Sequence, residues 1–120
     1  FSVAKALVMG SMTPQADQTW AALMRQEVRA RMKYLLPAGT ILCLPTTPFP
    51  APLRGQPLSV LDPLRDRITC LCAQGGLAGH PQVNIPGATV DGLPVGLSII
   101  GPRGSDAMLV AVARALEKTA

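Results

Sequence analysis

The chain has 120 residues, 48% hydrophobic and only 15% charged, with 11 basic against 7 acidic side chains. That length holds one domain at most. No apolar run reaches the roughly 20 residues that span a bilayer, and 3% aromatics are too few stacking platforms for the +4 charge to read as nucleic-acid binding.

Three cysteines without a framework spacing fit a reducing cytoplasm. A surface this poor in charge suits part of a larger core better than a free-standing domain. The chain opens on Phe1, inside an apolar run to Met9. That run predicts the end of a helix stopped by Gly10-Ser11, and the true start is expected upstream. Thr13 then reads as an N-cap with Pro14 at the first helical position, opening a helix to about Tyr34. Trp20, Met24, Val28, Met32 and Leu35, with Leu23 beside them, form its apolar stripe. Arg25, Arg29 and Lys33 recur on another face. That row is either an anion or partner site or a solvated helix face, and the solvated face is preferred. Glu27 stands at the i,i+4 spacing from Arg31.

Pro37-Ala38-Gly39 ends the helix, and Thr40 to Leu44 is a short apolar strand. A Pro-rich loop, 45–61, follows, because its prolines lack the N–H donors regular structure needs. Asp62-Pro63 reads as the next cap and first-turn proline. Leu64, Ile68, Leu71 and Cys72 share a face up to Ala73, and Gln74-Gly75-Gly76 breaks the helix. After a Gly79-His80-Pro81 corner come two apolar strands, Gln82 to Ile85 and Val95 to Ile100, both expected to be buried on two faces. Asp91-Gly92 between them is a tight-turn signal. Gly101-Pro102-Arg103-Gly104 is a loop. Ser105 caps a last helix whose stripe is Leu109, Val112, Ala113 and Leu116, with Asp106 near its start and Lys118 in its last turn. Helices alternating with strands predict an α/β fold, a sheet covered by helices.

Cys43, Cys70, Cys72 and His80 add up to a set zinc could use. However, Cys70-x-Cys72 on a helix points the two thiols about 200° apart, and small buried side chains are the preferred reading. A Cys70 or Cys72 pair with His80 as nucleophile and base ranks lower, since nothing places either thiol in an electropositive, exposed setting. His80, held extended by Pro81, is either a donor on a pocket wall or a corner residue bonded to backbone; the corner is preferred.

The stretch from Gly76 to Gly101 resembles the amidase signature family near its C-terminus. The pattern G-x-P-x-x-x-x-P followed by G-x-P-x-G-L-x-x-I-G is met by Gly79, Pro81, Pro86, Gly92, Pro94, Gly96, Leu97, Ile100 and Gly101. Thr46, Thr47, Ala51 and Pro52 fit a second family stretch, and Pro81 to Pro86 looks closest to the indoleacetamide-hydrolase-like branch. The resemblance implies the C-terminal part of a mixed-sheet α/β/α fold covering 1–120. It implies a Ser–Ser–Lys hydrolase in which Lys deprotonates a bridging Ser, the bridging Ser activates the nucleophile, and an acyl-enzyme forms and is hydrolysed.

The catalytic loop of that family looks like G-G-S-S-G-G. The serines here, Ser2, Ser11, Ser59, Ser98 and Ser105, are isolated, and Lys5, Lys33 and Lys118 lack a matching context. No catalytic residue is carried over, and the chain alone is expected to be inactive. Thr69 and His80 are the candidate substrate-binding residues. Thr69 stands near where glutamine-amidotransferase relatives carry an acid, and Gly76 where many members have Asn. The missing acid argues for a less polar amide. The expected partners are the remainder of the amidase chain, a small-molecule amide and a second copy of the chain; no cofactor, metal, nucleic acid or membrane is expected. The alternative is a non-catalytic α/β module that binds a partner or self-associates through uncovered edges and faces.

Overall fold

A computed structural model describes residues 2–117. The order is α1 (Ser2–Ser11), α2 (Gln15–Leu35), β1 (Leu42–Pro45), α3 (Leu58–Ala78), β2 (Gln82–Val90), β3 (Leu93–Ile100) and α4 (Asp106–Glu117). The strands lie in the order β1-β3-β2, and both pairings are antiparallel. β1 and β2 therefore run the same way, joined by α3 and split by β3.

The sheet is covered on both sides, and parity along the strands decides what each side sees. Leu42, Leu44 and Ile100 face Val28, Met32 and Leu36 of the α2 region and Ala78 of α3. Val83, Ile85 and Ile99 face Met108, Leu109, Val112 and Ala113 of α4. The fold class is thus α/β with helices on both faces. Burial is narrower than the apolar strands suggest: only Ser98, Ile99 and Ile100 of β3 and Ile85 of β2 are buried, while Val90, Leu93 and Leu97 lie exposed.

Four local expectations need correction. Thr13 does not cap α2: its hydroxyl donates to Met9 O at 3.0 Å, closing α1, and Pro14 takes the cap position. α3 begins at Leu58 rather than Asp62, because Pro57 at φ −65° offers its carbonyl to Val60 and Leu61 N–H. Pro63 consequently sits inside the helix, and the Pro-rich loop ends at 57. Nor does Gln74-Gly75-Gly76 break α3, which runs to Ala78 and stops at Gly79 in the left-handed region. Gly75 is there for space, since a Cβ would lie 2.7 Å from Gln82 Oε1. Finally, β2 and β3 are longer than expected. Asp91 (φ 52°) and Gly92 (φ 76°) close them into a two-residue hairpin, with a bulge between Pro86 and Ala88.

The α2 stripe is also only partly used. Val28 and Met32 pack inward, whereas Trp20, Leu23 and Leu35 are exposed. α1 carries Val3, Leu7, Val8 and Met9 into solvent and is tied to α3 by Lys5–Asp62 at 3.4 Å. The radius of gyration is 16.7 Å, where a compact domain of this length has about 14 Å. The accessible surface is 8720 Å², against roughly 6,200 Å² for a compact monomer of this mass. The chain is an open slab 18 Å thick. The positions proposed for Phe1 and Lys118 lie outside the described residues.

Candidate functional site

The Gly79-His80-Pro81 corner positions everything around it. Gly79 at φ 75° ends α3, and His80 N–H reaches back to Gly75 O at 2.8 Å, the five-residue reach of a Schellman-type closure. His80 is buried, with Nδ1 2.9 Å from Gly101 O. A carbonyl only accepts, so Nδ1 carries the hydrogen and Nε2 is the remaining nitrogen. Gly101 N–H in turn donates to Pro81 O at 3.1 Å. The corner is thereby latched to the loop before α4, which is the backbone-bonded role expected of His80.

Beyond the corner, the α3 side of the sheet turns polar. Gln82 and Asn84 on β2 share parity with Ser98 on β3, and Thr46 follows directly on β1. Gln82 Nε2 donates to Ser98 Oγ at 3.0 Å, Ser98 Oγ lies 3.0 Å from Thr46 Oγ1, and Thr46 Oγ1 donates to Asn84 Oδ1. Thr46 has one hydroxyl hydrogen and gives it to Asn84, so Ser98 must donate to Thr46. The hydrogen bonds run one way, from Gln82 through Ser98 and Thr46 to Asn84. They use the Asn84 oxygen and leave its Nδ2 hydrogens without a partner among the described residues. Cys72 of α3 donates its thiol to Thr46 O, and Arg67 lies 5.4 Å over the Phe49 ring, so α3 fixes the loop that carries Thr46.

The file ends in an exposed amide at Asn84. Ser98 is buried and committed to Gln82 and Thr46. Gly96, opposite Pro86, makes room for it: a Cβ there would collide with Asn84 Oδ1 and come within 2.9 Å of Thr46 Oγ1. Reasoning from sequence passes over Gln82, Asn84 and Ser98 as site residues. The available signal was polar residues at i, i+2 on an otherwise apolar strand, with a glycine in step on its partner.

Thr69 and His80 are not brought together. Thr69 is exposed on α3, in a groove with Lys5, Met9, Asp62, Arg65 and Asp66. Charges of both signs meet there, and Asp62 pairs with Lys5 and, at 3.7 Å, Arg65. His80 lines a separate groove with Arg29, Lys33 and Arg103. The basic row of α2 is more than a solvated face. Arg25 Nε donates to Leu77 O at 3.2 Å and Arg29 Nε to Ala78 O at 3.5 Å, placing cations at the C-terminal carbonyls of α3, where the helix dipole favours them. Among the described residues, no group of three or more His, Cys, Asp or Glu could hold a metal ion, and no helix is long and apolar enough to cross a membrane.

A split β-α-β sheet covered by helices on both faces, with a glycine-spaced polar file beyond a Gly-His-Pro corner, defines an α/β fold. The family model "Amidase" matches residues 2–110, and the chain belongs to that family. It is 36% identical over 95 residues to Amidase 1 of Oryza sativa subsp. japonica, covering 79% of this chain and 22% of the relative. It is 35% identical over 105 residues to a glutamyl-tRNA(Gln) amidotransferase subunit of Symbiobacterium thermophilum, covering 87% and 20%. A crystal structure of an amidase superposes with a TM-score of 0.81 at 28% identity, over 98% of this chain and 28% of that one. The corresponding glutamyl-tRNA(Gln) amidotransferase subunit of Thermotoga maritima gives 0.66 at 25%, over 98% and 26%. The chain thus spans about a fifth of the length of the curated relatives it matches.

Proposed function

We propose that this chain is the C-terminal portion of an amidase that hydrolyses a carboxamide to the acid plus ammonia or an amine. The observation that carries this is the match over residues 2–110 to relatives of which the chain covers only 20–22%. The open slab supports it, because its excess surface, roughly 2,500 Å² over a compact monomer, is of the size that a permanent partner covers.

In this reading the rest of the polypeptide supplies the Ser–Ser–Lys machinery, and this portion supplies pocket wall. Asn84, its oxygen already engaged by Thr46, offers its Nδ2 hydrogens to a substrate oxygen; Thr69 is a further proposed contact on α3, while His80, in a separate groove and bonded to Gly101 O, holds the corner. The Pro81 to Pro86 run and the missing acid at Thr69 favour an indoleacetamide-hydrolase-like branch with a weakly polar amide, working in the cytoplasm without a cofactor.

A second reading has the chain self-associate or bind a partner as a non-catalytic module. The exposed Val3, Leu7, Met9, Trp20 and Leu23 favour that.

The test is to express the chain with the coding sequence in frame upstream of Phe1 and measure ammonia release from indoleacetamide, benzamide and glutamine. Turnover of the aryl amides supports the proposal. Turnover of glutamine alone replaces the branch. A folded protein that hydrolyses none of the three, and sediments as a concentration-dependent oligomer, establishes the second reading instead.

A further inference from the structure

The groove beside His80 has a charge the amidase reading does not use. Its volume is about 300 Å³, and Gln26, Arg29, Lys33, His80 and Arg103 line it together with two alanines. Three side chains bring formal positive charges, and no carboxylate lines it. Among the described residues, neither Arg29 nor Lys33 nor Arg103 forms an ion pair. The C-terminus of α3 contributes only about half a negative charge, so roughly 2.5 units of positive charge stay uncompensated.

The guanidiniums also converge. Arg29 Nη2 and Arg103 Cζ lie 3.6 and 3.9 Å from the one point where a Cβ on Gly79 would sit. Gly79 is at φ 75° and has no side chain to fill that point. Arg29 is anchored through Nε to Ala78 O, which leaves its two terminal amino groups as donors, and among the described residues Arg103 has no hydrogen-bond partner. Like charges held this close, with their planar donors unspent, call for a shared acceptor. Guanidinium pairs match tetrahedral and planar oxyanions through paired N–H···O bonds.

We propose that this groove is a binding site for a small, multiply charged oxyanion of the phosphate class, held between Arg29 and Arg103 with Lys33 adding charge. Its size fits a compact anion, and no aromatic residue lines it to stack a base. The site does not depend on the amidase reading and is tested by binding alone.

Inorganic phosphate is titrated by calorimetry into the full-length protein at low, constant chloride. Saturable binding at one site is expected. Arg103→Gln and Lys33→Gln, both on exposed positions, each weaken it by about tenfold; Arg54→Gln, on the exposed Pro-rich loop, leaves it unchanged. Circular dichroism checks that each variant is folded, and Lys33→Gln stands in should Arg103→Gln fail that check. Three results overturn the proposal: no saturable binding into the tens of millimolar; equal weakening by Arg54→Gln, which marks diffuse surface charge; or binding of a single-stranded RNA without binding of phosphate.

Discussion

Gly96→Ala is a substitution whose sign tests the polar file. Glycine inside a strand ordinarily costs about 0.5–1 kcal/mol relative to alanine, through backbone entropy. Gly96 is not among the glycines with positive φ, so alanine meets no conformational penalty there. If the file were loose, the substitution would stabilise the chain by that amount. The structure gives the opposite sign. The new methyl would collide with Asn84 Oδ1 and lie 2.9 Å from Thr46 Oγ1, so the Thr46–Asn84 hydrogen bond must part or the strands must shift. Losing this exposed hydrogen bond costs about 0.5–1.5 kcal/mol, and overpacking costs about 1–3 kcal/mol. The net expectation is destabilisation of roughly 1–3 kcal/mol, read from the urea midpoint at unchanged slope. Asn84→Ala removes the atom in the way, so the double variant should recover most of the loss. That makes the two changes strongly non-additive. Gly76→Ala is the control, because nothing lies within 4 Å of a Cβ there; it should stabilise α3 by about 1 kcal/mol. A stabilising Gly96→Ala, or one additive with Asn84→Ala, would refute the file as a packed, hydrogen-bonded unit.

Two further substitutions test the scaffold. Leu109→Ala empties the centre of the α4 side of the sheet, where Leu109 is fully buried against Ile85 and Ile99; a loss of about 2.5–5 kcal/mol is expected in the same denaturation assay. Pro63→Ala restores an N–H inside α3, where Ser59 O now lacks its helical partner; it should raise the midpoint by up to about 3 kcal/mol in stability, and a drop would mean that Pro63 holds a contact of its own.

How far the sequence specifies this structure depends on whether the deciding interaction is local. Asp91-Gly92 determines its hairpin because two adjacent positive-φ residues need nothing from elsewhere. The α4 stripe is legible for the same reason: Leu109, Val112 and Ala113 recur at helical spacing and do pack on the sheet. Pro63 and Gly75 mislead because tertiary contacts overrule them. α3 is held at Pro57 before it and at the Gly79 corner after it, and Gly75 is spaced for Gln82, not for a break. Thr13 satisfies the capping pattern yet spends its hydroxyl on Met9 O, a competition between two helix ends that no single-helix rule resolves. In the site, His80 could be placed at a corner because Pro81 restricts it, but its bond to Gly101 O joins residues 21 positions apart. The Gln82-to-Asn84 file depends on the register of three strands, which no single stretch of sequence displays.

What covers α1 and α2 has a built-in reporter. Trp20 is the only tryptophan and is 64% exposed, on the same helix as the exposed Leu23. Large apolar side chains left this exposed are the kind that interaction partners cover. The two readings of the chain differ in what removes the water. If the face seats against the remainder of an amidase, Trp20 should be accessible to iodide in the isolated chain at every concentration, and shielded when the upstream polypeptide is present. If copies of the chain seat against one another, quenching should fall as the isolated chain is concentrated, in step with a rise in sedimentation coefficient. Trp20→Glu with Leu23→Glu separates this from general stickiness. Both positions are exposed in the single chain, so the fold should tolerate them, while association through α2 should be lost. An associating double variant would show that α2 is not the contact and would move the search to the exposed hairpin end, where Val90, Leu93 and Leu97 lie open.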